Sequence, residues 1–249
     1  MLPTGQIIAI VSGKGGTGKT SFTANVGMAL AQLGYSTLCF DSDIGLRNLD
    51  IALNMTDRAV MDFTDVLSGF CSLKDAVVPH PKQKNLYLLT APSRNCGNPD
   101  SEKLKTLFAE ISSQFDYCLV DAPAGLETGF QIAISNADRA VVVTNTDQSS
   151  LRDAQRTVME LAHMGNGHVH LVVNRCRKKL MRSLHQTIDD AIDTAGLPLL
   201  GVIPEDDTMP LYAGRGIPLL LSENRYAAQA YRNIARRLNG QRAPLMRIR

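Results

Sequence analysis

The strongest constraint on this chain is a glycine-rich octapeptide, Gly13-Lys14-Gly15-Gly16-Thr17-Gly18-Lys19-Thr20, set between the apolar run Ile7-Ile8-Ala9-Ile10-Val11 and a helical pattern. It matches G-x-x-x-x-G-K-[ST] in the strand–loop–helix setting that gives the motif its physical meaning. Glycines let successive backbone N–H groups turn inward around a polyphosphate. The helix start adds unpaired N–H groups at the positive end of its dipole. In that arrangement Lys19 reaches the β/γ-phosphates and the Thr20 hydroxyl ligates Mg2+.

The same residues contain a competing pattern. Gly13, Gly15 and Gly18 satisfy G-x-G-x-x-G, and Asp41 ends the next strand where a ribose-binding acid would sit. A dinucleotide-dependent oxidoreductase is therefore the alternative to a nucleoside triphosphatase. Lys19 and Thr20 argue against it, because a pyrophosphate held by backbone alone needs neither, whereas a triphosphate with Mg2+ uses both.

Composition adds bounds. With 249 residues, 44% apolar and 20% charged, the chain can bury one large α/β core, and a net charge of +2 specifies no partner. Residues 1–5 run straight into the first apolar stretch without a signal-type pattern, and no run approaches the ~18–20 apolar residues that span a bilayer. Cys39, Cys71, Cys96, Cys118 and Cys176 are scattered without C-x-x-C spacing. A reduced, cytoplasmic setting is expected.

Short apolar runs alternate with amphipathic stretches from end to end. This pattern predicts a mostly parallel central sheet with helices on both faces, the α/β architecture of P-loop NTPases. Strands are expected near 6–11, 36–41, 85–90, 117–121, 139–144, 168–173 and 199–203. Helices are expected near 19–33, 101–114, 149–164, 179–195 and 223–239. Gly34 and Gly196 are the expected C-terminal stops of two of them. Residues 1–240 read as one ATPase domain and 241–249 as a short basic tail.

Two strands end in acids. The second runs into Asp41-Ser42-Asp43 and the fourth into Asp121-Ala122-Pro123. Carboxyl ends of parallel strands share one rim beside the first loop, and Mg2+ takes few protein oxygens while keeping several waters. Asp121 therefore reads as the Walker-B acid, and Asp43 as an acid that orients a metal-bound or attacking water. The expected metal set is Thr20, Asp43 and Asp121. The plainer role for either acid is a turn or N-cap. Lys14 is one lysine more than a P-loop needs. It is either a solvated loop residue or a cation aimed at the phosphates of a second subunit, as arginine fingers are.

With these residues assembled, the loop resembles the deviant Walker A motif of the ParA/MinD family, whose signature is that extra lysine. Residues 41–50 and 121–127 are similar to the second-strand and Walker-B segments of the branch that determines the septum site. Residues 149–156, residues 201–206 and the segment Tyr231–Leu238 match that branch as well. The resemblance implies a slow ATPase with ATP and Mg2+ as cofactors, homodimeric when ATP-bound and stimulated by partners. It implies that Gly13, Lys14, Gly15, Gly16, Thr17, Gly18, Lys19, Thr20 and Ser21 surround the nucleotide, with Lys14 crossing to the partner's ATP. Catalytic roles fall to Lys14, Lys19 and Asp43. Asn174 and Arg175 would contact adenine, and Pro204, Glu205 and Asp206 would close over the base. Partners would be a division inhibitor and a topological regulator of the MinC and MinE type, reached through the helix that holds residues 149–156. DNA or plasmid partition, and control of flagellar number, are the alternatives within the family.

The end of the chain departs from that branch, which usually finishes in an amphipathic membrane-binding helix. Here Gln241-Arg242-Ala243-Pro244-Leu245-Met246-Arg247-Ile248-Arg249 is too short and too interrupted for a stable helix. Seven arginines and no acid from Asn224 onward allow weak attraction to an anionic membrane, at the inner face of which the protein would be peripheral. A packing helix with a frayed basic end is the plainer expectation. The stripe Ala227, Tyr231, Ile234, Leu238 is expected to pack on the sheet. His168 and His170 share a strand face but lack a third ligand for a metal. Cys96-Gly97 offers too few cysteines for a shared iron–sulfur cluster. The basic run Arg175, Arg177, Lys178, Lys179, Arg182 is a solvated face or a DNA patch.

Overall fold

A computed structural model describes residues 5–94, 97, 99–126, 128–165, 167–214, 218–221 and 226–248. Cys96, Glu127, residues 1–4, the first residues of the helix expected over 223–239, and Arg249 lie outside the described residues. The strands are β1 (Gln6–Val11), β2 (Thr37–Asp41), β3 (Val78–Pro79), β4 (Leu86–Leu89), β5 (Tyr117–Asp121), β6 (Arg139–Thr144), β7 (Val169–Cys176) and β8 (Leu199–Pro204). They form one sheet in the order β3-β4-β2-β5-β1-β6-β7-β8. Every pairing is parallel except that of β3 with β4. The expected fold class is the observed one.

Alternation along each strand divides the core. Ile7, Ala9 and Val11 face one layer, where α5 (Ser101–Gln114), α6 (Thr128–Ser135), α7 (Gln148–His163) and α9 (Ile188–Ala195) contribute residues such as Phe108, Phe130, Leu161 and Ala191. Ile8 and Ile10 face the other, built by α1 (Lys19–Gln32) and α11 (Tyr226–Leu238) through Phe22, Val26, Leu30, Tyr231 and Ile234. A sheet covered on both faces explains why its strands read as unbroken apolar runs.

Short elements escape the sequence pattern. These are α2 (Leu49–Ala52), α3 (Phe63–Ser68), α4 (Leu73–Ala76), α6, α10 (Met209–Gly214), the 3-10 turn Leu219–Leu221 and β3. The helix expected over 179–195 is two helices, α8 (Lys178–Ser183) and α9. The chain turns at His185, whose φ is 50°, and α9 restarts from a capping box between Thr187 and Asp190.

The tail is not frayed. Asn233 Nδ2 donates to Pro244 O at 2.9 Å and Arg237 Nη1 to Ala243 O at 3.2 Å. Met246 then packs on one core layer and Ile248 on the other, so the tail straps the free edge of β8. An edge covered in this way offers no template for another strand.

Candidate functional site

Loops after β1, β2 and β5 meet at the carboxyl rim of the sheet, beside the point where strand order reverses around β1. From Val11 the chain enters the loop through buried Ser12, whose Oγ donates to Lys14 O at 2.9 Å. Gly13 packs so closely on α7 that a Cβ there would lie 2.3 Å from Asp153 O. Gly16 and Gly18 take φ of 78° and 91°, a region costly for residues with a Cβ. Gly18 is the N-cap of α1 and supplies no side-chain cap, and the first turn of α1 carries no acid. By contrast Asp62, Ser72, Asp100, Asp147 and Thr187 cap α3, α4, α5, α7 and α9 with their own oxygens. The N–H groups that open α1 are thus left to an anion.

Lys19 is 8% exposed and lies among acids. Asp121, at the end of β5 and 2% exposed, accepts from Thr20 Oγ1 at 2.6 Å and from Thr23 Oγ1 at 3.0 Å. Burial pushes its carboxyl above the usual range, while Lys19 and the two hydroxyls pull it back. Asp43, half-buried, is raised by burial and lowered by Lys19. Asp41 stands beside Asp121 in the β2–β5 register and is fully buried; burial and the charge of Asp121 push it up to about 7.

Asp43 and Asp121 both feel the charge of Lys19, and with the Thr20 hydroxyl they form an oxygen-lined corner that a divalent cation suits. Thr20 and Asp121 already stand oxygen to oxygen in it. The buried Thr17 hydroxyl in the same loop has no hydrogen-bond partner among the described residues. The oxygens present are the hard donors Mg2+ takes, and Thr20, Asp121 and Asp43 are the ones at hand. Asp41 is accounted for otherwise: its oxygens accept from Asp43 N at 2.9 Å and Leu49 N at 3.2 Å. It shapes the loop after β2, which removes the ribose-binding role that the dinucleotide alternative needs.

Lys14 is exposed but tethered. Its Nζ donates to Ser149 Oγ at 2.7 Å and lies 3.9 Å from Asp147 Oδ1, so it is held at the start of α7 of its own chain.

A cavity of about 170 Å³ continues from the loop. Gly18 and Ser21 form its near wall, and Asn174, Arg175 and Pro204-Glu205-Asp206 its far side. These expected base-contact residues are therefore brought together at one place. Asn174, however, is 4% exposed and spends its amide locally. Its Nδ2 donates to Thr17 O at 2.8 Å and its Oδ1 accepts from Arg175 N at 2.9 Å. Arg177 bridges to Glu205 at 3.6 Å, fixing the β8 loop to the end of β7. Sequence reasoning missed Met209 and Tyr231, which also line the cavity, and Thr23 on Asp121. Tyr231 packs as its helical stripe predicts and also lines the pocket.

The model of the CobQ/CobB/MinD/ParA nucleotide-binding domain matches residues 8–219. The chain belongs to this family. Among MinD/ParA proteins, the septum site-determining protein MinD of Bacillus subtilis is 39% identical over 245 residues, covering 97% of this chain and 91% of that protein. The fold is similar to that of MinD from Aquifex aeolicus in a MinC:MinD complex, with a TM-score of 0.91, 41% identity and coverage of 98% and 99%. It is also similar to MinD of Pyrococcus horikoshii complexed with Mg-ADP, with a TM-score of 0.80, 32% identity and coverage of 94% and 96%. These MinD/ParA relatives agree with the nucleotide-binding architecture read from the loop. Among the described residues no helix is long and apolar enough to cross a membrane, and no group of three or more His, Cys, Asp or Glu could hold a metal.

Proposed function

We propose that this chain is a MinD-type, Mg2+-dependent ATPase that dimerises on ATP and acts in placing the division site. The observation that carries the reading is a juxtaposition at the start of α1. Its uncapped first turn holds Lys19 and the Thr20–Asp121 pair, and the flanking Gly18 and Ser21 line the cavity that Tyr231 also lines. Relatives named MinD, one of them in a structure with Mg-ADP and one in complex with MinC, support it.

In this reading the N–H groups of Gly15 to Thr20 cradle the phosphates and Lys19 neutralises charge at the γ-phosphoryl group. Thr20 and Asp121 would hold Mg2+, which would supply charge neutralisation on the phosphates. Asp43 orients the water that attacks in line, releasing ADP and phosphate with no covalent protein intermediate. Asn174 and Arg175, with Pro204-Glu205-Asp206, enclose the base. Lys14 leaves Ser149 and Asp147 to reach the partner's phosphates, and such a cation supplies about 10³–10⁵ in rate. The exposed face of α7, with Arg152, Gln155 and Arg156, is the contact for a MinC-type inhibitor or MinE-type regulator. The protein is cytoplasmic, with peripheral membrane association.

Light scattering with and without Mg-ATP, combined with turnover in the presence of anionic vesicles or nonspecific DNA, tests the reading. Wild type should dimerise with ATP, and Lys14→Ala should lose stimulated turnover by at least 10³-fold. Stimulation by DNA alone would turn the reading toward a partition ATPase. A Lys14→Ala protein indistinguishable from wild type would remove the cross-subunit role.

A further inference from the structure

At the opposite rim of the sheet, basic side chains from three elements converge under the carboxyl end of α11. Arg139 opens β6, His170 is the second residue of β7, and Leu199 opens β8, on three neighbouring strands. Val141 and Val172 belong to the core layer under α11, so by alternation Arg139 and His170 face α11 too. His170 pairs with Val141, which places Arg139 two residues before its partner. Arg139 Nη1 donates to Leu238 O at 3.1 Å, and Arg237 of α11 donates to Leu199 O at 3.1 Å and to Ala243 O at 3.2 Å. Each guanidinium has five N–H donors, so several remain unused.

The charges acting on His170 are all basic, from Arg139, His168 and Arg237. Among the described residues neither arginine nor His170 is in an ion pair, and neighbouring Asp138 gives its carboxylate to Ile7 N at 2.8 Å. His170 Nδ1 is buried and has no hydrogen-bond partner among the described residues. An open cavity of about 590 Å³ begins at Arg237 and runs along Gly240, Gln241, Arg242, Ala243 and Pro244 of the tail. Two guanidiniums beside one imidazole, with Arg237 at the wall of an open cavity, suit a tetrahedral oxyanion whose charge the imidazole senses.

We propose that this corner binds a phosphate group, either free or carried by a lipid headgroup, at a site separate from the nucleotide groove. The ring of His170 is held below the ordinary histidine range by burial and by Arg139, His168 and Arg237. An anion seated among these cations reverses that balance and protonates the ring.

The test is NMR of the full chain labelled at histidine, with the His170 signal assigned from its loss in His170→Gln. Inorganic phosphate should shift the His170 ring resonances saturably and raise its proton affinity about tenfold or more, while chloride at equal ionic strength should not. Arg139→Gln, checked for native signal dispersion, should weaken the response at least fivefold. Vesicles of phosphatidylglycerol shifting the same signal in the absence of phosphate would assign the site to lipid. The proposal is overturned by no saturable shift with either phosphate or vesicles, by an equal shift with chloride, or by an unchanged response in Arg139→Gln.

Discussion

Two buried side chains show how much this molecule asks of single polar groups. Asn174 joins the glycine-rich loop to the cavity beside it, because its amide holds Thr17 O on one side and Arg175 N on the other. Asn174→Ala strands a buried carbonyl, at a cost of about 1–3 kcal/mol. We expect ADP to bind roughly 5- to 100-fold more weakly, as read by titration with a fluorescent analogue. Asn174→Asp keeps the acceptor and loses the donor, so it should resemble the alanine variant. Wild-type affinity in Asn174→Asp would show that the clamp is unnecessary. His80, 7% exposed, pins a different loop: its Nδ1 accepts from Lys82 N and Gln83 N, leaving Nε2–H for Leu53 O at 3.0 Å. Only the neutral ring can do this, and burial, the leading cause, lowers its pKa from 6.5. The unfolded chain then binds the proton more readily. The contribution is complete above pH 6.5 and is lost as pH falls from there toward the folded pKa. The stability difference between wild type and His80→Gln in urea should therefore shrink below pH 6.5; a constant difference from pH 5 to 8 would refute the neutral-ring role.

At the scale of elements, the tail joins α11 to the sheet edge. Deleting residues 241–249 removes the bonds from Asn233 and Arg237 and exposes the core under Met246 and Ile248. Two partly buried apolar side chains and two hydrogen bonds suggest a loss of about 2–4 kcal/mol, measurable as a lower urea midpoint. A midpoint within error of wild type would mean that the strap contributes nothing to folding. Elements also show what the sequence displayed. Strands buried on both faces announce themselves as apolar runs, and α1, α5, α7 and α11 are long enough for periodicity to repeat. Helices of four to six residues, such as α2, α3 and α4, complete fewer than two turns and leave no period to detect. The break between α8 and α9 did carry a signal, Thr187 with Asp190 three residues on, which the amphipathic pattern across it concealed. In the site, acids at strand ends were legible because topology places them on one rim. Tyr231 and Met209 were not, since an apolar residue looks the same whether it faces a core or a pocket.

Across the whole molecule, the carboxyl rim sets how stability answers pH and metal together. Asp41 titrates near 7 in the fold and at 3.8 by its ordinary value. The folded state therefore holds the extra proton between those limits, and the contribution of Asp41 to stability falls as pH rises through that window. Asp121 and Asp43 are shifted in the same direction by burial, with Lys19 opposing, so ionising the rim costs folding free energy that nothing in the bare chain repays in full. In the proposed reading, a divalent cation held by Thr20 and Asp121 would supply the missing positive charge, and only where the acids are ionised. Protons and metal would then compete for one corner. We expect Mg-ADP to raise the melting temperature more at pH 8 than at pH 5, with ADP in EDTA showing a smaller pH dependence. Asp121→Asn should flatten the difference, because it removes both the proposed ligand and the charge that lifts Asp41. If Mg-ADP stabilised wild type equally at both pH values, Asp121 would not be meeting the metal as an ionised group. The carboxyl corner would then be a structural cluster, and the metal would rest on the nucleotide phosphates and Thr20 alone.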